Sequence, residues 1–169
     1  MASYGTDEGF TAWLAANGLV LPVDAPSAAV LREIGSSYVD GAYEWRLFCS
    51  RRTGGFLQEL AWPRTGQQLG GEPIPDDLIP LQWVYASYRA AYLQASQGGW
   101  AQGGVDPNRL TKREKVDVIE REFFGAGEGA AQGNAAAGFN VDPMIDGWVS
   151  RWLCDQAGEV GIGFWAIGS

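Results

Sequence analysis

Few residues in this sequence have the types and spacing that catalysis requires. The chain contains no histidine, which removes the usual general base, the commonest metal ligand and the base of Ser–His and Cys–His nucleophiles. Asp76 and Asp77 could form a carboxylate pair for acid–base or metal chemistry. However, adjacent acids before an apolar helix are typical of the positive N-terminal end of that helix. We therefore expect no enzyme activity, no catalytic residue and no bound metal.

One glycine pattern resembles a nucleotide-binding motif. Gly125, Gly127 and Ala130 match a loose G-x-G-x-x-[GA] sequence. A dinucleotide site also needs a buried strand before the motif and a helix after it. Here a charged run precedes the motif and "AQGNAAAG" follows it. We expect residues 125–140 to form a flexible arm that binds no cofactor.

The overall charge argues against general nucleic-acid binding. The net charge is −8 and the pI is about 4.4, whereas such binding depends on neutralising phosphates. Arg51 and Arg52 could contact phosphates, as could a second basic cluster formed by Lys112, Arg113 and Lys115. Four acids interrupt that second cluster, which favours a solvated ribbon or an inter-subunit salt-bridge surface over a DNA contact. These acids are Glu114, Asp117, Glu120 and Glu122.

Cysteine usage and the apolar runs bear on the compartment. Cys49 and Cys154 have no metal-site spacing, and we predict that both are free, reduced thiols in a cytoplasmically made protein. The opening "MASYGTDEGF" lacks the pattern of a signal peptide. No apolar run approaches the length of a membrane span, so we expect no membrane partner.

Apolar spacing predicts a mainly α fold in one domain, residues 1–169, with a helical core at about 6–96. Thr6 is a start signal and Gly18 a stop signal for the first helix, and Asp24 is a candidate cap for the second. "RLFCSRRTGG" then reads as a connecting segment. A short third helix, capped by Thr53 and carrying Phe56, Leu57 and Leu60, should stop before Pro63. The fourth should run from about Asp77 to Ser96.

The fourth helix has the clearest apolar face. We expect Trp62 to pack against this face at the centre of the core. Its predicted members are Leu81, Val84, Tyr85, Tyr88, Tyr92 and Leu93.

The pattern changes after residue 97. The segment "LTKREKVDVIEREFF", at about 110–124, fits either an amphipathic helix or a β-ribbon. Asp142 and Pro143 restart a helix, so residues 142–169 should be a C-terminal helix and tail. Trp100 and Trp165 lie in glycine-rich sequence, where partner anchors are as plausible as core positions. The tail is a candidate partner-binding segment through Val160, Ile162, Phe164, Trp165 and Ile167.

Several stretches between about Tyr4 and Phe124 resemble a family of tailed-phage head–tail adaptors, or connectors. This family is also described as DnaT-like single-stranded-DNA-binding proteins. The arrangement "AWPR…G…IP…IP", from Ala61 to Pro80, is the most specific part. The other matching stretches are "YGTDEGFTAWLAANG", "YVDGAYEW", "LQELAWPRTG", "IPDDLIPLQWVYASYRAAYL" and "KREKVDVIEREF".

The resemblance implies a small helical bundle with a projecting β-ribbon or loop and an extended C-terminal tail. Similar adaptors form a dodecameric ring between the portal and the stopper or tail-terminator protein. This ring lies in the virion neck, and genomic DNA passes through its channel during packaging and ejection. The C-terminal region of such adaptors docks onto the portal. The alternative function is single-stranded-DNA binding in a phage, which would require a basic groove with stacking aromatics.

Overall fold

The computed structural model describes residues 2–102, 114–116, 119–121 and 140–154. Within these ranges the fold is helix-rich with small antiparallel sheets, in agreement with the predicted mainly α class. The α-helices are α1 (Asp7–Ala16), α2 (Ala28–Tyr43), α3 (Leu81–Gln97) and α4 (Pro143–Ser150). Short 3-10 helices cover Glu44–Arg46, Gly55–Leu57 and Trp100–Gln102.

The strands form three antiparallel pairs in the described residues. The first pair joins a strand before Trp62 to a strand after it. The second pair is a tight hairpin that follows the first pair in the sequence. They are β1 (Arg51–Arg52) with β2 (Arg64–Thr65), and β3 (Gln68–Leu69) with β4 (Glu72–Pro73). The third pair is β5 (Glu114–Val116) with β6 (Ile119–Arg121). Of the two alternatives for this last region, the structure therefore has the ribbon.

The central helices α2 and α3 approach each other very closely. Gly35 faces α3, and a Cβ added to it would lie 2.1 Å from the carbonyl oxygen of Ser87. The side chains at this crossing are small, and Ser36, Ser87 and Ala91 are fully buried. Because no larger side chain fits here, the two backbones pack directly against each other.

Three tryptophans from distant segments form the centre of the larger core. Trp62 is 1% exposed, and its ring lies 5.9 Å from Trp83 of α3 and 5.8 Å from Trp152, measured between centroids. Both pairs meet edge to face, an arrangement that aromatic rings favour. The predicted burial of Trp62 is therefore confirmed. Its expected neighbour Leu81 is instead 54% exposed.

A second cluster lies on the other side of α3 and holds the N-terminal helix. Tyr88 packs against Phe10 of α1 with ring centroids 5.3 Å apart. Its hydroxyl accepts a hydrogen bond from the backbone N–H of Thr6 at 3.1 Å. The predicted face of α3 is therefore divided between two clusters rather than gathered around Trp62.

The predicted helix boundaries hold for α1 and differ for α2 and α3. The Thr6 hydroxyl caps α1 by accepting from the Gly9 N–H at 3.0 Å. Helix α2 begins after Ser27 rather than after Asp24. Helix α3 begins after Pro80, so Asp76 and Asp77 precede the helix instead of lying in its first turn. The residue before a proline is disfavoured in the α conformation, which explains the later start.

The predicted third helix is wrong. Thr53 does not begin an α-helix, and only Gly55–Leu57 forms a single 3-10 turn. Phe56 and Leu57, predicted to lie on this helix, are 105% and 95% exposed. The backbone of residues 51–53 forms hydrogen bonds with residues 63–65 rather than within a helix. Strand β1 pairs with β2, and the Thr53 N–H donates to the Pro63 carbonyl at 3.1 Å.

The prediction of two free thiols is also wrong. Cys49 and Cys154 form a disulfide, with their Cα atoms 5.8 Å apart. The sequence separation of 105 residues conceals this proximity. It arises because the end of α4 packs beside the segment that follows α2, where the Cys154 N–H donates to the Arg46 carbonyl at 3.0 Å.

Trp100 is a core residue. It is 9% exposed, and its ring packs in a tilted arrangement against Tyr38 of α2, with the centroids 4.6 Å apart. Helix α4 begins at its predicted position, where the Asp142 carboxylate accepts from the Met144 N–H at 3.0 Å. None of the described helices has the length and apolar character needed to cross a membrane. The predicted arm, apart from Asn140, and the tail after Cys154 lie outside the described residues.

The close crossing of α2 and α3 predicts that Gly35→Ala destabilises the protein by about 2 kcal/mol or more, because the added methyl group forces the helices apart. Gly147→Ala in α4 is the matched control, since a Cβ there meets nothing within 4 Å. The control should be neutral or stabilising by about 0.5–1 kcal/mol, as alanine favours the helix. Urea unfolding measures both, and equal effects would contradict the close crossing.

The tryptophan centre predicts that Trp62→Ala lowers the free energy of unfolding by about 3–5 kcal/mol. The indole N–H of Trp62 has no acceptor among the described residues, so this loss comes from packing alone. Trp45→Ala is the control, because Trp45 is 42% exposed and should cost less than about 1 kcal/mol. A loss below about 1 kcal/mol for Trp62→Ala would place its ring outside the core.

Candidate interaction surface

The segment 44–57, between α2 and Trp62, carries an unusual exposed surface. Residues 45–57 include three arginines and no acidic residue, although the chain as a whole is strongly acidic. Four large apolar side chains project from the same segment. They are Trp45 (42% exposed), Phe48 (61%), Phe56 (105%) and Leu57 (95%). We refer to Phe56 and Leu57 as the apolar tip.

Buried Arg64 fixes the first half of this segment. Its guanidinium donates to the carbonyl oxygens of Leu47 at 3.0 Å, Ser50 at 2.7 Å and Ala61 at 3.1 Å. It also donates to the Ser50 hydroxyl at 2.7 Å. Burial lowers the pKa of Arg64 from its ordinary value, and nearby Glu44 acts in the opposite direction. The hydrogen bonds of Arg64 therefore hold the backbone in place, and its charge is not available to a ligand.

An ion pair fixes the second half of segment 44–57. Arg52 donates to both carboxylate oxygens of Glu44 at 2.6 Å, in a bidentate arrangement. This hydrogen-bonded contact raises the pKa of Arg52. The same guanidinium donates to the Gln58 carbonyl, which joins the start of the segment to the residue just after its end. Arg52 is therefore also occupied internally.

The turn that carries the apolar tip has satisfied polar groups. The Gln58 side-chain oxygen accepts from the Gly54 N–H at 2.8 Å, and the Gln58 amide donates to the carbonyls of Leu60 and Pro63. The Thr53 hydroxyl donates to the Asp76 carbonyl at 2.7 Å. Ordered hydrogen bonds, rather than a loose chain, therefore hold Phe56 and Leu57 in solvent.

Asp40 positions the chain that leads to Arg64. Its carboxylate accepts from the Tyr4 hydroxyl at 2.8 Å, the Trp83 indole N–H at 3.0 Å and the Ala61 N–H at 2.8 Å. Desolvation by burial raises the pKa of Asp40 above its ordinary value, against the three donors, which lower it. Tyr4 in turn accepts from the Trp62 N–H at 3.1 Å. One carboxylate thus connects the N-terminal segment, α2, α3 and residues 61–62.

The structure does not bring the sequence-predicted site residues together. Lys115 lies on β5, opposite Glu120 in the ribbon. Arg51 is exposed and forms no ion pair within the described ranges. The remaining predicted residues lie outside the described part of the chain. They are Lys112, Arg113, Val160, Ile162, Phe164, Trp165 and Ile167, together with the glycine motif at 125–130.

Sequence reasoning missed the apolar tip because it assigned Phe56 and Leu57 to a short helix that leads into Trp62. The available signal was Gly54–Gly55 immediately before them, which favours a turn, in a run free of acids. For metal binding, the part of the chain that the structure describes holds no group of three His, Cys, Asp or Glu side chains that could serve as ligands.

Comparison with known families identifies the chain. A family model described as "Putative DnaT-like ssDNA binding protein" matches residues 1–161. The match extends over nearly the entire sequence, and the chain belongs to this family. No curated protein and no solved structure matches it.

The hydrogen bonds of Arg64 predict a large effect of Arg64→Met, which removes the donor to the carbonyl oxygens of Ser50 and Ala61 and to the Ser50 hydroxyl. We expect a loss of about 3 kcal/mol in the free energy of unfolding, since each unpaired buried group costs roughly 1–3 kcal/mol. Arg51→Met is the control, because an exposed side chain that forms no ion pair with another described residue should change stability by less than about 0.5 kcal/mol. Equal losses in urea unfolding would show that Arg64 does not hold the segment.

Proposed function

We propose that this protein is a structural subunit of a phage virion, a head–tail adaptor whose ring joins the portal to the stopper or tail-terminator protein. The observation that carries the proposal is the apolar tip, Phe56 and Leu57, which an ordered hydrogen-bond network holds in solvent. In this proposal the apolar tip binds another protein subunit. The neck of the virion is the corresponding location.

The chemistry of the apolar tip suits a protein partner. Phe56 and Leu57 offer apolar area on a turn that needs little further ordering, so binding loses little conformational entropy. Exposed apolar side chains at fixed positions are typical of protein contact sites. The net charge of −8 disfavours tight contact with phosphates. In a channel, a negative wall allows DNA to move without adhering.

A ring requires two different surfaces on each subunit, because only a head-to-tail contact repeats and closes. The apolar tip supplies one such surface in our proposal. The ribbon β5–β6, with Lys115, and the segments around Lys112 and Arg113 are candidates for further subunit contacts. The tail residues are candidates for the portal contact, as the resemblance implies. They are Val160, Ile162, Phe164, Trp165 and Ile167.

Single-stranded-DNA binding is the second candidate, and the description of the family favours it. The same segment offers exposed rings at Trp45, Phe48 and Phe56, on which bases could stack. Exposed Arg51 lies in the same segment and could contact a phosphate. Against this candidate, Arg52 and Arg64 are already occupied by Glu44 and by backbone carbonyls.

The two candidates predict different results for Phe56→Ser/Leu57→Ser. If the apolar tip binds a neighbouring subunit, sedimentation over a concentration series should show that the native protein assembles. The variant should need at least about thirtyfold more protein to assemble, because hot-spot truncation costs about 2 kcal/mol or more. Val20→Ser/Val23→Ser is the control, since both valines are exposed on another loop, and it should assemble like the native protein.

A parallel titration with a fluorescent oligothymidylate at low salt tests the second candidate. We expect no saturable binding by the native protein. A monomeric native protein that binds the oligonucleotide, and loses this binding in Arg51→Gln and in the Phe56/Leu57 variant, would establish the second candidate and overturn the first. A native protein that neither assembles nor binds DNA would contradict both.

A further inference from the structure

The disulfide Cys49–Cys154 connects two regions that the proposed function uses separately. Cys49 lies inside segment 44–57, directly after exposed Phe48. Cys154 lies four residues after the end of α4, so the bond ties this position of the chain to segment 44–57.

We propose that this disulfide is a redox-sensitive link, whose reduction loosens Cys154 from segment 44–57 while the helical core, including Trp152, stays folded. The bond joins segment 44–57 to the end of α4 whether the apolar tip binds a protein or DNA.

The bond is accessible on one side. Cys49 is exposed, whereas Cys154 is only 6% exposed. Cys49 lies at the edge of a groove of about 730 Å³, between the β3–β4 hairpin and the end of α4. An external thiol can therefore reach Cys49, which makes its sulfur the point of attack.

The side chain next to the disulfide could also form a hydrogen bond with the reduced cysteine. The Gln67 side-chain oxygen lies 3.5 Å from the Cys49 sulfur, and Gln67 is 2% exposed. A disulfide sulfur carries no hydrogen, so this oxygen has no hydrogen-bond donor among the described residues while the bond is intact. A Cys49 thiol could donate to it, which would satisfy a buried acceptor that the disulfide leaves unpaired.

Core packing and hydrogen bonds also hold the end of α4, because Trp152 is 6% exposed and its ring contacts Trp62. The Cys154 N–H donates to the Arg46 carbonyl at 3.0 Å, and the Gln67 amide donates to the Trp152 carbonyl at 2.8 Å. In contrast, the core crossing of α2 and α3 involves neither cysteine. We therefore expect reduction to loosen the region locally and not to unfold the protein.

The chemical step is ordinary thiol–disulfide exchange with a dithiol. One thiolate of the dithiol attacks the Cys49 sulfur, the S–S bond breaks, and the Cys154 sulfur leaves as a thiolate that takes up a proton. The second thiol of the reductant then attacks the mixed disulfide and releases Cys49 as a thiol. In total, two electrons and two protons pass from the dithiol, which becomes a disulfide, to the cystine.

Hydrogen exchange of the native protein with and without dithiothreitol tests the proposal. Without the reductant, neither cysteine should react with iodoacetamide. With it, both should react, and the amides of Cys49 and Cys154 should exchange at least about tenfold faster, since their local opening no longer breaks a covalent link. Amides of α2 and α3 should keep their rates within about twofold.

Cys49→Ser/Cys154→Ser is the matched control, because dithiothreitol should change none of its exchange rates. Alkylation of the native protein without reductant would show that the bond does not form and would overturn the proposal. Unchanged exchange at Cys49 and Cys154 after reduction would also overturn it. Simultaneous opening of α2 and α3 would overturn it as well, because the bond would then stabilise the entire fold rather than a local link.

Discussion

The carboxylate of Asp40 is the interaction on which most of this structure depends. It accepts hydrogen bonds from Tyr4, Ala61 and Trp83, which belong to three segments far apart in the chain. A buried charge is costly unless its hydrogen bonds are satisfied, and here desolvation raises the pKa of Asp40 while the donors lower it. Without this acceptor, three buried donors would lose their common partner at once.

The position of the apolar tip follows from this arrangement. Asp40 holds Ala61, and the chain then places Trp62 between Trp83 and Trp152. Arg64 follows two residues later and binds the carbonyls of Leu47 and Ser50. The buried hydrogen bonds of Asp40 and Arg64 therefore determine where Phe56 and Leu57 lie on the surface. The core does not need Phe56 or Leu57, which is why we propose that a partner binds them.

Much of the fold could be predicted from local signals, whereas the candidate site could not. Helices α1 and α4 begin at capping residues, Thr6 and Asp142, that are visible in the sequence. The apolar positions Phe56, Leu57 and Leu60 misled the prediction, because hydrogen bonds from Arg64 and Gln58 override local preference. No local pattern reveals a disulfide across 105 residues, or that Trp100 finds Tyr38 as its partner. Exposure is a property of the folded chain, so the apolar tip becomes visible only in three dimensions.

An electron cryomicroscopy map of the assembled protein would show directly whether the apolar tip binds a protein subunit. We expect a closed ring in which Phe56 and Leu57 are buried against a neighbouring protein subunit, with the backbone of segment 44–57 unchanged from the isolated chain. A ring in which both side chains remain in solvent would contradict this expectation. Single subunits arranged along a DNA strand, with bases stacked on Trp45, Phe48 or Phe56, would contradict it equally.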